Sequence, residues 1–140
     1  MFELDKRLQA DTIIIGEFPL SLVLLSKDSR YPWCILVPKV ANITEAYQLS
    51  NKQQAALSQE SNLLGKVLME LYQGDSLNVA ALGNVVSQLH VHHVVRFTND
   101  ETWPGPIWGV GDSSSYTASE LTQRATEIVN RLNGLLEFKV

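Results

Sequence analysis

From Ser76 to Val95 the chain carries no Asp, Glu, Lys or Arg. Asn78, Asn84, Gln88 and three histidines are the polar interruptions in an otherwise small and apolar run. Its length is close to that of a membrane span, but imidazoles and amides are expensive in hydrocarbon. The run is therefore expected inside a soluble core, and Gly83-Asn84 divides it into two pieces short enough to be strands.

The flanking pattern agrees. Thr12-Ile13-Ile14-Ile15 is β-branched throughout and favours a strand. Leu20 to Leu25 is a second strand, Lys27-Asp28-Ser29-Arg30 a polar turn, and Trp33 to Val37 a third strand that Pro38 ends by removing an N–H. Three strands at such short spacing predict an antiparallel meander. Phe2 to Ala10 reads as a short helix, and Thr44 with Glu45 as a helix-capping start. Asn51 to Tyr72 is the longest helix expected, with Leu57, Leu64, Leu68 and Leu71 on one stripe and Gly74 at its end. Ser76 to Leu82 and Gln88 to Phe97 follow as strands, Thr98 to Ser115 as loop, and Thr117 to Leu136 as a second long helix. Strands grouped together predict an α+β fold, with an antiparallel sheet of about five strands, one long central helix and a C-terminal helix. One domain spanning 1–140 suits this length.

Eleven Lys and Arg stand against fifteen Asp and Glu, a net charge of −4, so no general footprint for a nucleic-acid polymer is expected. Cys34 is alone, which excludes an internal disulfide or a cysteine-rich zinc site and fits a reducing, cytoplasmic setting. The first seven residues hold four charges and no apolar stretch follows, so neither a secretory leader nor a membrane anchor is expected.

The chemistry concentrates at His90, His92 and His93. At a side-chain period of two, Gln88, His90, His92, Val94 and Arg96 share one face of a strand; Leu89, Val91, His93, Val95 and Phe97 share the other. The second face should pack on a helix, with His93 buried and hydrogen-bonded. On the first, Cα atoms two residues apart are roughly 6.5–7 Å from each other, so His90 and His92 can reach one phosphoryl group. A neutral imidazole can attack phosphorus while its neighbour stabilises charge. The same pair could ligate a metal with an added carboxylate, or simply face solvent.

Gly83-Asn84-Val85-Val86-Ser87-Gln88-Leu89-His90-Val91-His92-His93-Val94-Val95-Arg96 resembles the signature of the histidine triad (HIT) family. Ile35-Leu36-Val37-Pro38-Lys39 resembles the apolar strand that ends in Ile-Pro-Lys in that family, and the similarity runs from about Thr12 to Arg96. The resemblance implies a five-stranded antiparallel α+β fold and a homodimer. It implies hydrolysis or transfer at the α-phosphate of a nucleotide, through a nucleotidyl-histidine intermediate, with no cofactor and no metal. Dinucleoside polyphosphates and nucleoside phosphoramidates are the substrate types. His90 would be the nucleophile, its Nδ1–H tied to a backbone carbonyl, with His92 on the phosphoryl oxygens. The branch is divergent. Gln88 replaces the first triad histidine and is expected near the leaving group; Val85 replaces a Ser/Thr, and Val40-Ala41-Asn42 lacks a histidine. Lys39, Asn78, Asn84 and Arg96 are candidates for binding substrate, and Trp103 and Trp108 for a pocket wall or interface. A non-catalytic nucleotide-binding module and a metal-dependent enzyme using His90 and His92 are the alternatives.

Overall fold

Strand formation follows the β-branched and leucine-rich runs. The structure, a computed structural model, describes residues 1–140. Helix α1 (Lys6–Asp11) leads into β1 (Thr12–Glu17), β2 (Ser21–Ser26) and β3 (Trp33–Pro38), then α2 (Asn51–Tyr72), β4 (Ser76–Ala81), β5 (Val91–Arg96) and α3 (Ala118–Leu132). The sheet order is β1-β2-β3-β5-β4, and every neighbouring pair is antiparallel. The first three strands are the expected meander. α2 then carries the chain over one face, so that β5 inserts beside β3 with Ile35 opposite His92 and Trp33 opposite Val94.

Each helix has a local reason to begin where it does. Ser50 caps α2 and Thr117 caps α3, each in a reciprocal box with the residue three positions on, Gln53 and Glu120. Gln73, in a left-handed conformation (φ 53°), ends α2 one residue before the glycine expected to do so. α3 stops at Leu132 rather than Leu136, because Gly134 (φ 80°), Leu136 and Glu137 all take positive φ and cannot continue a helix.

The sheet is covered on both faces. On one, α2 and α3 bury Val23, Leu25, Cys34, Leu36 and Val95 against Leu64, Leu68, Ile128 and Leu132. On the other, Leu8 of α1 packs on Leu24, Ile35 and Val37. Next to it Ile107 closes over Tyr31 and Val94. The face that holds His90 and His92 is therefore not a solvated sheet face: His90 is 5% exposed and His92 7%. A second departure concerns β5, which begins at Val91, not Gln88. The period-two pattern runs back through Gln88, but β4 has ended at Ala81, opposite Val91, so residues before Val91 have no strand partner on that side.

Candidate active site

His90 lies at the loop-to-strand junction, and its Nδ1 is 2.6 Å from the carbonyl oxygen of Gln88. A carbonyl only accepts, so Nδ1 carries the proton and Nε2 of the neutral ring holds a free lone pair. His92 is held the opposite way. Trp33 donates its indole Nε1–H to His92 Nδ1 at 3.0 Å. Indole has no acceptor to offer, so Nδ1 must be bare and the neutral ring carries its proton on Nε2. Burial, with the charge on neighbouring His90 and then His93, pushes the His92 pKa down to about 3 from 6.5. The two rings stand edge to face with centroids 5.0 Å apart. One thus offers an electron pair and its neighbour an N–H, which is a matched set for attack on an electrophile bearing an anionic oxygen.

These rings face a cleft of about 590 Å³. Trp33, Ile35, Leu8, Val86 and Trp108 form apolar walls, with Asn84 at the rim. Trp108 also packs edge-on against His92, with centroids 5.2 Å apart. Arg7 and Asp11, both from α1, are the charged residues of the lining.

The other sequence candidates separate from this cleft. Of the four binding candidates only Asn84 lines it. Lys39 is ion-paired with Glu17 at the opposite end of β3 from Trp33. Arg96 is 1% exposed and commits four of its five N–H donors: it donates to both Asp100 carboxylate oxygens (2.8 and 2.9 Å), to Asn78 Oδ1 (2.8 Å) and to Thr102 Oγ1 (3.0 Å). Arg96 and Asn78 therefore pin the 98–104 turn at the far end of β5, as a structural knot buried outside the cleft. Gln88 does not line the cleft; its amide bonds the N-terminal main chain at Glu3 and Asp5. His93 is buried beneath the sheet between Ser61 Oγ, at 2.7 Å from Nε2, and the Val91 carbonyl, at 3.1 Å from Nδ1. Burial lowers its pKa to about 4. No group of three or more His, Cys, Asp or Glu is placed to hold a metal ion; the pair His90 and His92 gains no third ligand.

The sequence predicts the N-terminal helix and a strand from Trp33, but not that α1 and Trp33 line the cleft. Trp33 has the same strand parity as Ile35, so it was bound to share a face with it; only the β3–β5 register shows that this face meets His92.

The knot around Arg96 carries a prediction. The guanidinium, through its hydrogen bonds, holds the Asp100 pKa at about 2 against an ordinary 3.8. A depressed carboxylate contributes stability above its unfolded pKa and loses it as pH falls through the folded one. Melting temperature should therefore drop between about pH 4 and pH 2. Asp100→Asn should lower stability at pH 7 by about 2 kcal/mol and flatten that acid limb. An unchanged limb in the variant would show that the knot contributes nothing.

The family model for the HIT domain matches residues 7–99. The chain is 47% identical to a histidine triad protein from Marinobacter aquaeolei VT8, over 96% of this chain and 98% of that one, with a TM-score of 0.93. A histidine triad protein from Bradyrhizobium japonicum is 42% identical over 93% and 97% of the two chains, with a TM-score of 0.91. Plasmodium falciparum diadenosine triphosphate hydrolase, solved in complex with Cyclomarin A, shares the fold at 15% identity, 98% and 84% coverage and a TM-score of 0.66. No curated protein matches.

Proposed function

The chain belongs to the histidine triad family, and from that premise we propose that it is a nucleotide hydrolase or nucleotidyl transferase working through His90. The observation that supports this most is the opposed protonation of the two cleft imidazoles, a lone pair on His90 Nε2 and a proton on His92 Nε2. In the first step the His90 lone pair attacks the α-phosphorus. An N–P bond forms and the bond to the leaving group breaks; that group departs with the electron pair and takes up a proton from solvent, leaving as a neutral amine where the substrate is a phosphoramidate. The ring becomes cationic, and the Gln88 carbonyl on Nδ1–H stabilises that charge. His92 donates Nε2–H to a non-bridging phosphoryl oxygen as negative charge builds there. In the second step water, or another acceptor, attacks phosphorus; the N–P bond breaks and its electrons return to Nε2, while the acceptor proton passes to solvent or product.

The cleft's charged lining is one cation and one carboxylate. Arg30, Arg96 and Lys39 are tied to Asp28, Asp100 and Glu17. Little remains to balance a polyphosphate chain, which favours substrates with a single phosphoryl group and an uncharged leaving group, of the nucleoside phosphoramidate type. The test is rapid quench at mildly alkaline pH with an adenosine phosphoramidate and with diadenosine triphosphate, followed by peptide mass spectrometry. An adenylyl group on His90, and a higher kcat/KM for the phosphoramidate, is the expected result. Tight binding of both compounds with no label and no turnover would instead make the protein a nucleotide-binding module.

A further inference from the structure

Gln88 occupies the position where the family signature places a histidine, and its amide is committed to the N-terminal main chain instead of lining the cleft. We propose that Gln88 is a positioning residue that latches the N-terminal segment and, through it, α1, which walls the substrate cleft. Its Oε1 accepts from the Asp5 main-chain N–H at 2.9 Å, and its Nε2 donates to the Glu3 carbonyl at 2.8 Å. Main-chain groups of residues i and i+2 lie along one edge of an extended segment, so a single amide meets both as a neighbouring strand would. These two are the hydrogen bonds that join residues 1–5 to anything beyond α1.

Asp5 is also where α1 begins. Its carboxylate accepts from the Arg7 and Leu8 N–H groups, capping the helix. A latch on Asp5 therefore sets the start of α1, and α1 supplies Arg7, Leu8 and Asp11 to the cleft. Phe2 and Leu4 pack on the same apolar cluster as Leu8, so the segment and the wall share one apolar contact.

The chemistry of the latch explains why an amide stands here. A primary amide presents a donor and an acceptor from one end. Neutral imidazole carries its donor and acceptor on different sides of a rigid ring, and imidazolium has no acceptor at all. A carboxylate has no donor for the Glu3 carbonyl. Gln88 thus serves the site twice: its side chain holds the wall, and its main-chain carbonyl holds the tautomer of His90. The kinetic consequence rests on the cleft being the substrate site; the structural one does not.

The test uses the full chain as wild type, Gln88→Ala, Gln88→Glu and Gln88→His. Hydrogen exchange at residues 2–11 is followed by mass spectrometry, with melts to separate local loosening from unfolding. Loss of both hydrogen bonds should speed exchange there by about tenfold in Gln88→Ala, with Gln88→Glu, which keeps the acceptor, falling between that and wild type. With an adenosine phosphoramidate, KM should rise by about the same factor while kcat falls by less. Exchange at residues 2–11 unchanged in Gln88→Ala overturns the latch, whatever the activity. A Gln88→His variant that gains kcat and a new pH limb, with its exchange unaltered, overturns it in favour of proton transfer. Should no nucleotide be turned over, the Kd of AMP replaces KM, so failure of the enzymatic reading leaves this one decided on its own.

Discussion

Replacing His90 with alanine is expected to remove at least about 10³-fold of the turnover, and to leave the fold standing. Alanine takes away the nitrogen that bonds to phosphorus. His92 cannot stand in for it. Its Nδ1 is occupied by the Trp33 indole, and its Nε2 carries the proton, so neither nitrogen presents a free lone pair. Water would have to attack directly, without the covalent step that divides the barrier. The fold should survive because His90 lies just outside β5, where its ring bonds one carbonyl and takes no part in the sheet ladder. Truncating a buried side chain with a single hydrogen bond should destabilise by about 1–2 kcal/mol. The checks are single-turnover kinetics, thermal melts and the Kd of AMP on the same preparations. A variant that melts normally, binds AMP and retains a tenth or more of wild-type turnover would remove His90 from the role of nucleophile.

What the sequence disclosed tracks how local each cause is. The strand meander and the bounds of α2 come from short apolar runs and caps within a few residues of one another, so they were legible. His90 and His92 were legible as a pair for the same reason, since period two places them side by side. Gln88 was not. Its partners are 83 and 85 positions away, and nothing in Gln88-Leu89-His90 signals that the amide turns toward the N-terminus while the imidazole turns into the cleft. Arg96 misled in a different way. It shares strand parity with the histidines, but the bend after β5 brings Asp100 back onto it, and the pairing consumes the charge that parity alone would have offered to a phosphate. The polar face reads as free for ligand in sequence because nothing local says that α1, itself legible as a short helix, packs onto it, and the stretch around Ile107 and Trp108 is irregular.

Trp33 acts on the chemistry through His92, 59 positions away in sequence. Trp33→Phe keeps an aromatic ring in the wall and deletes one N–H. His92 Nδ1 then loses its donor, and the ring is free to move its proton from Nε2 to Nδ1 or to take up a second one. The first change turns a lone pair toward the phosphoryl oxygen where the wild type offers a hydrogen; the second is opposed in the wild type because a protonated Nδ1 would meet the indole N–H head on. Loss of one donor to a developing oxyanion lowers kcat by roughly 100-fold, and that is the expected fall. The His92 pKa, held near 3, should rise. The sign for stability follows. A histidine depressed in the folded state binds its proton more readily when unfolded, so wild-type stability declines on acidification from about pH 6.5 downward, and the variant should decline less steeply. Nitrogen-15 spectra give a readout independent of turnover: in wild type, His92 should show a bare Nδ1 and a protonated Nε2, and His90 the reverse. In Trp33→Phe the His92 pattern should become mixed while His90 keeps its own. Unaltered His92 nitrogens together with unaltered kcat would show that the indole is only a wall, and that something other than Trp33 orients the proton facing the substrate.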